Sequence, residues 1–250
     1  MSRVRVAFLP EALRPDAGGV CAVIDVIRAT TTLVALAEAG DPEVWLAPDP
    51  ERARSAAVHL RGPVLLCGEQ GGLKPPGFDY GNSPRELATL RLGGQTVVFA
   101  TTNGTKALRS WSGVQRTYVA ALRNVGAVAW RLLESASVDE RSITLVCAGR
   151  NGEVALEDVY TAGAVVRRML HTAPKLALDE TAVIAMHVNR GYASPREALE
   201  ASASAKLLER VGLFEDVAFC AAVDASIAVP ELGPHGRLRV LEDGRGANSV

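Results

Sequence analysis

Residues 20–40 read VCAVIDVIRATTTLVALAEAG, and this stretch decides the fold. It opens with a β-branched apolar run, Val20–Val26, broken only by Asp25. A half-exposed strand would alternate polar and apolar residues. A nearly continuous run is what a strand covered on both faces needs. Helical periodicity follows over Thr31–Ala39. The same strand-then-helix unit recurs along the chain. Strands are predicted at Glu43–Ala47, Pro63–Gly68, Thr96–Thr101, Thr117–Leu122 and Ile143–Ala148. Helices are predicted between them at Pro50–Leu60, Pro84–Leu90, Thr105–Trp111 and Val125–Ser135. This alternation is that of βαβ units, so an α/β fold with a largely parallel sheet is expected.

Beyond Ala148 the pattern turns helical: Leu156–His171, Glu180–Asn189, Pro195–Val211 and Phe214–Asp224. Asp49 before Pro50, and Ser194 before Pro195, read as N-caps with proline at the first helical position. Arg237–Leu241 reads as an edge strand. One domain over residues 1–242 is expected, with a subdivision near 137–141 as the alternative and a flexible tail over 243–250. The helices after Glu180 are the expected surface for a homodimer.

Composition narrows the function. The 250 residues carry 27 Lys and Arg against 28 Asp and Glu, a formal net charge of −1. Such a balance advertises neither a nucleic-acid nor a membrane partner. No apolar run approaches the roughly 18 residues of a membrane helix, and the run before Pro10 is too short for a signal peptide. A cytoplasmic protein is expected. Cys21, Cys67, Cys147 and Cys220 form no C-x-x-C pair, and the first three lie in apolar runs, so they read as small core residues. The four histidines lack metal-ligand spacing.

Polar residues gather at the predicted carboxyl ends of strands, the edge where open α/β sheets bind ligands. Asp25 is followed by Arg28, Thr30, Thr31 and Thr32. This reads either as a carboxylate beside an anion site or as a capped helix start with a solvated Asp–Arg pair. Glu69 opens a glycine-rich loop that runs to Asn82, Ser83 and Pro84, where Ser83 or Asn82 can also cap a helix. Thr101, Thr102, Asn103, Gly104 and Thr105 offer hydroxyls, an amide and a helix start suited to a tetrahedral oxyanion, or simply a tight turn. Arg150 precedes Glu157 and Asp158, whose acids either favour a helix dipole or serve as hard oxygen ligands. Together these acids and anion donors fit a hard cation bridging carboxylates and a phosphate ester.

Four segments carry a resemblance: VIDVIRATTT, CGEQGGL with FDYGNSP, ATTNGTKAL and CAGRNGEVALEDVYTAG. In that order, spanning residues 5–240, they resemble the 2-phosphosulfolactate phosphatase, or ComB-like, family. The resemblance implies a three-layer α/β/α fold. It also implies a Mg²⁺-dependent phosphoric monoester hydrolase that converts 2-phospho-3-sulfolactate to 3-sulfolactate in coenzyme M biosynthesis. Carried over by motif, Asp25, Glu69, Glu157 and Asp158 are the candidate metal ligands, with Asp25, Glu69 and Asp158 as catalytic candidates. Arg28, Thr30, Asn82, Ser83, Thr102, Asn103, Gly104, Thr105 and Arg150 are the candidates for holding substrate.

Three alternatives stay open. Asp25 could act as a nucleophile, as in aspartyl-phosphate phosphatases, although Ile27 stands where those enzymes place a second acid. The substrate could be another small phosphorylated hydroxy acid. The chain could also be a non-catalytic phospho-ligand module, against which the surplus of carboxylates speaks.

Overall fold

The computed structural model describes residues 3–138 and 141–241. Its strands are β1 Arg3–Ala7, β2 Val20–Ile24, β3 Glu43–Ala47, β4 Val64–Gly68, β5 Thr96–Ala100, β6 Arg116–Ala120, β7 Ile143–Cys147, β8 Ala177–Leu178, β9 Val229–Leu232 and β10 Arg237–Leu241. Its helices are α1 Ala29–Glu38, α2 Pro50–Ala57, α3 Pro84–Leu87, α4 Gly104–Ser110, α5 Val125–Ser137, α6 Leu156–Thr172, α7 Glu180–Arg190, α8 Pro195–Glu200, α9 Ala203–Arg210 and α10 Glu215–Cys220. The expected tail, 243–250, and residues 139–140 of the expected subdivision lie outside the described residues.

All these strands join one sheet in the order β4-β5-β3-β10-β9-β6-β2-β7-β1-β8. β4, β5 and β3 pair in parallel, as do β6, β2, β7, β1 and β8. The hairpin β9–β10 joins the two blocks and pairs antiparallel with β3 on one side and β6 on the other. The architecture is therefore α/β with a mostly parallel sheet, as the strand–helix alternation predicts.

Burial explains the continuous apolar runs. Every residue of β2 and of β7 is buried. One face of the β6–β8 block packs on α5, α6 and α7 through Ile24, Leu132, Leu145 and Val166. Its other face shares a core with α1, α4, β3 and β5 through Val23, Leu33, Leu108 and Phe99. A smaller cluster, including Ala53 and Phe78, sits under α2 on the far side of β5. All four cysteines are buried and free, as their apolar surroundings suggest. Among the described residues no helix is long and apolar enough to cross a membrane.

The caps fall where the sequence places them. Asp49 accepts from the Arg52 amide and Ser194 from the Glu197 amide. Two expectations are corrected. Arg237–Leu241 is not an edge strand but lies between β3 and β9 in the middle of the sheet. Its alternation of Arg237, Leu238, Arg239 and Val240 looks like an edge because antiparallel strands tolerate one solvated face. The predicted helix Pro195–Val211 is two helices. Ser202 interrupts it, its hydroxyl accepting from the Ala205 amide and starting α9 afresh.

α6 and α7 pack backbone to backbone at Gly163, where an added Cβ would stand 2.0 Å from the Ala185 carbonyl oxygen. Gly163→Ala is expected to force the helices apart and to lower the unfolding free energy by about 1–3 kcal/mol, read as a shifted urea midpoint.

Candidate active site

The carboxyl ends of β2, β4, β5 and β7 converge on a cavity of 120 Å³ lined by Asp25, Arg28, Glu69, Asn82, Asn103 and Arg150, among others. Asp25 sits in its wall, directly after β2. Its Oδ1 accepts from the Ala29 amide at the start of α1. Gly104, at the start of α4, packs against the same carboxylate, its amide favouring the ionised form. The approach is so close that a Cβ on residue 104 would lie 2.7 Å from Asp25 Oδ2 and 2.5 Å from Ala29 Cβ. Glycine is therefore required there, and two helix N-termini point their amides at one carboxylate. Burial nevertheless pushes the Asp25 carboxyl up to about 7. The nearby charges of Glu69 and Glu157 add to the rise, and the two amides oppose it.

Glu69 ties two loops together. Its Oε2 accepts from the Gly72 amide at 2.8 Å and its Oε1 from the Thr102 amide at 2.7 Å. One lone pair on each oxygen remains. Among the described residues, no Lys or Arg forms an ion pair with Asp25 or Glu69. Asn82 is buried, and its Oδ1 has no hydrogen-bond partner. An orphaned buried acceptor beside two carboxylates is a place for a cation or a hydrogen-bond donor that the chain does not supply.

The structure separates the predicted residues into those that line the cavity and those that hold it in shape. Thr102, Asn103 and Arg150 line it along with Asp25, Arg28, Glu69 and Asn82. Asp158 does not. Its Oδ1 accepts from the Val26 amide and its Oδ2 from the Gly149 amide, which pins the loops after β2 and β7 to each other. Burial, with Asp25 and Glu157 nearby, raises its carboxyl well above the usual range. Glu157 is also buried near Ser204, and its carboxyl is raised chiefly by burial. The Thr30 hydroxyl accepts from the Asp25 amide, and the Thr105 hydroxyl donates to the Thr101 carbonyl. Both shape turns.

Arg28 lines the cavity, but its guanidinium is already engaged. Nη1 donates to Asp216 Oδ2 and Nη2 to the Gly72 carbonyl, each at 2.7 Å. Both side chains of the Arg28–Asp216 pair are 2% exposed. Ser83 caps α3 and donates to the other Asp216 oxygen. Sequence reasoning missed Asp216. The signal was available: it lies on the stripe Leu213, Asp216, Val217, Cys220, an acid on the apolar face of a helix. Asn151 and Ser204, also in the cavity wall, carry no such signal.

Hard oxygen donors set beside amide and guanidinium donors at strand ends are the equipment of enzymes that act on phosphate esters. Comparison with known proteins makes the class specific. The family model for 2-phosphosulpholactate phosphatase matches residues 7–234. The chain is 42% identical over 233 residues to a probable 2-phosphosulfolactate phosphatase of Thermus thermophilus, covering 92% of this chain and 94% of the relative. It is 43% identical over 236 residues to a protein of the same description from Deinococcus radiodurans, covering 93% and 94%. A third, from Symbiobacterium thermophilum, is 35% identical over 228 residues, covering 90% and 96%. The chain belongs to the 2-phosphosulpholactate phosphatase family and is accordingly a phosphoric monoester hydrolase.

Two outcomes follow for the isolated protein. Folded Asp25 keeps its proton up to about pH 7, whereas an unfolded Asp releases it near pH 4. The folded state therefore binds more protons across that window, and stability falls as pH rises through it. Thermal unfolding in EDTA should show a melting temperature that declines from pH 5 to pH 8, with added divalent cation reversing the decline. Asp216→Ala strands the Arg28 charge in the interior and is expected to cost about 3–5 kcal/mol, measured by denaturant titration.

Proposed function

We propose that the protein hydrolyses 2-phospho-3-sulfolactate to 3-sulfolactate and inorganic phosphate, using Mg²⁺. The observation that carries this reading is the pairing of Asp25 with Glu69 in the cavity wall, neither in an ion pair with a Lys or Arg among the described residues, beside the orphaned Asn82 Oδ1. Mg²⁺ is ordinarily held by one or two carboxylates, with waters and substrate phosphate completing its shell. That habit accords with a donor set of two carboxylates and one unpartnered amide oxygen. Asp25, Glu69 and Asn82 are the residues that would hold the ion, and Glu157 stands behind Asp25. When bound, Mg²⁺ would neutralise phosphoryl charge and make a water more acidic.

The rest of the work falls to the chain. Arg150 and the polar groups of Thr102 and Asn103 bind phosphoryl oxygens. The Ala29 and Gly104 amides hold the Asp25 carboxylate in one orientation. Whichever of Asp25 and Glu69 keeps a free lone pair accepts the proton of the attacking water. Asp158 and Arg28 act indirectly, the first by fixing the loops after β2 and β7, the second by fixing the Gly72 loop against α10. Asp25 already receives two backbone amides, which favours a positioning or basic role over a nucleophilic one.

The test is phosphate release from 2-phospho-3-sulfolactate and a panel of small phosphoesters, with Mg²⁺ or with EDTA. Release is expected with Mg²⁺ only, fastest from the sulfonated ester. Asp25→Asn is expected to lower kcat by at least about 10³-fold. Release that persists in EDTA would overturn the metal assignment, and a phosphorylated Asp25 trapped with borohydride would overturn the direct route.

A further inference from the structure

The cavity beside Asp25, at 120 Å³, is compact and open on one side. A second chamber of 440 Å³ adjoins it, and the two share Thr102, Asn103 and Asn151 as a common wall. The Asn151 amide donates to Asn103 Oδ1 across that wall. The cation of the second chamber is Lys106, on α4 just after Asn103 and Gly104.

Two observations leave Lys106 as the cation available to the outer end of the substrate. Among the described residues no carboxylate forms an ion pair with it, although Glu11 stands in the same chamber. The alternative cations are also occupied or elsewhere. Arg28 is engaged by Asp216 and the Gly72 carbonyl. Lys74 reaches the Asp79 carbonyl and lines neither chamber. Arg150 belongs to the inner cavity.

We propose that Lys106 is the specificity-determining residue of the site: its ammonium, in the outer chamber, binds the permanently ionised sulfonate that the substrate carries beyond its phosphate. The assignment rests on the phosphatase reading and adds to it which end of the substrate lies where. A compact ammonium suits an oxyanion held at a half-open rim, because it needs no fixed fork geometry.

The experiment compares 2-phospho-3-sulfolactate with 2-phospholactate, which keeps phosphate and carboxylate but lacks the sulfonate. The wild type is assayed beside Lys106→Met, which keeps the stem, and Lys106→Arg, which keeps the charge. Lys106 is exposed, so the variants fold, and their melting temperatures check this. The ratio of the two kcat/KM values is expected to fall by about 10- to 100-fold in Lys106→Met, mainly through KM on the sulfonated ester, with most of the ratio kept in Lys106→Arg. A ratio within about twofold of wild type in Lys106→Met, or a wild type that does not distinguish the two esters, overturns the inference and leaves the phosphatase reading standing. Should neither ester be hydrolysed by the wild type, it is the phosphatase reading that falls. The inference is then decided by calorimetric titration with 3-sulfolactate: binding weakened in Lys106→Met supports it, and equal binding overturns it.

Discussion

Burying carboxylates at one end of a sheet is the constraint that organises this molecule. Asp25, Glu157, Asp158 and Asp216 are all buried there, and an uncompensated charge in such a place is too costly to keep. Each finds a different answer. Asp216 takes Arg28 and the Ser83 hydroxyl. Asp158 takes two backbone amides from two loops. Glu157 takes Ser204 and the field of Arg150. Asp25 takes one amide from each of two helices but faces Glu69 and Glu157 as well. Among these four, Asp216 meets a cation, while burial still raises the carboxyls of Asp25, Glu157 and Asp158. Asp158 and Asp216 fix loops through their hydrogen bonds, and Asp25 faces the cavity.

The same constraint explains why residues distant in sequence meet. Glu69 links the loop after β4 to the loop after β5. Asp158 links the loop after β2 to the loop after β7. Asp216 links α10 to both the Arg28 turn and the start of α3. Each link is a carboxylate accepting from backbone amides or from a buried side chain, so paired polar groups hold the cavity alongside the apolar side chains of Ile27, Leu207 and Leu208.

Much of this was legible beforehand because it follows from local pattern. The continuous run at Val20–Val26 gave the doubly covered strand, Asp49 and Ser194 gave the helix starts, and the clustering of acids and amides at strand ends located the cavity. What the sequence concealed was non-local. Whether Asp158 faces a ligand or accepts from Val26 and Gly149 depends on partners 132 and 9 residues away. Thr30 and Thr105 carry the same hydroxyl whether it meets a ligand or closes a turn. Asp216 was visible as an acid on an apolar stripe, but its partner Arg28 lies 188 residues off. The motifs of the family resemblance lie at the strand ends around the cavity; the contacts within them distinguish residues that line it from residues that tie its loops.

The hairpin β9–β10 carries a consequence of another kind. It stands between the two parallel blocks of the sheet, yet it is encoded after residue 228. During synthesis the strands on either side emerge long before the pair that joins them. β3 and β6 then present unpaired edges, which are templates for pairing with other chains. The seam at the middle of the finished sheet is thus its last part to close, and the nascent protein depends on its final strands less for its catalytic groups than for protection against its own neighbours.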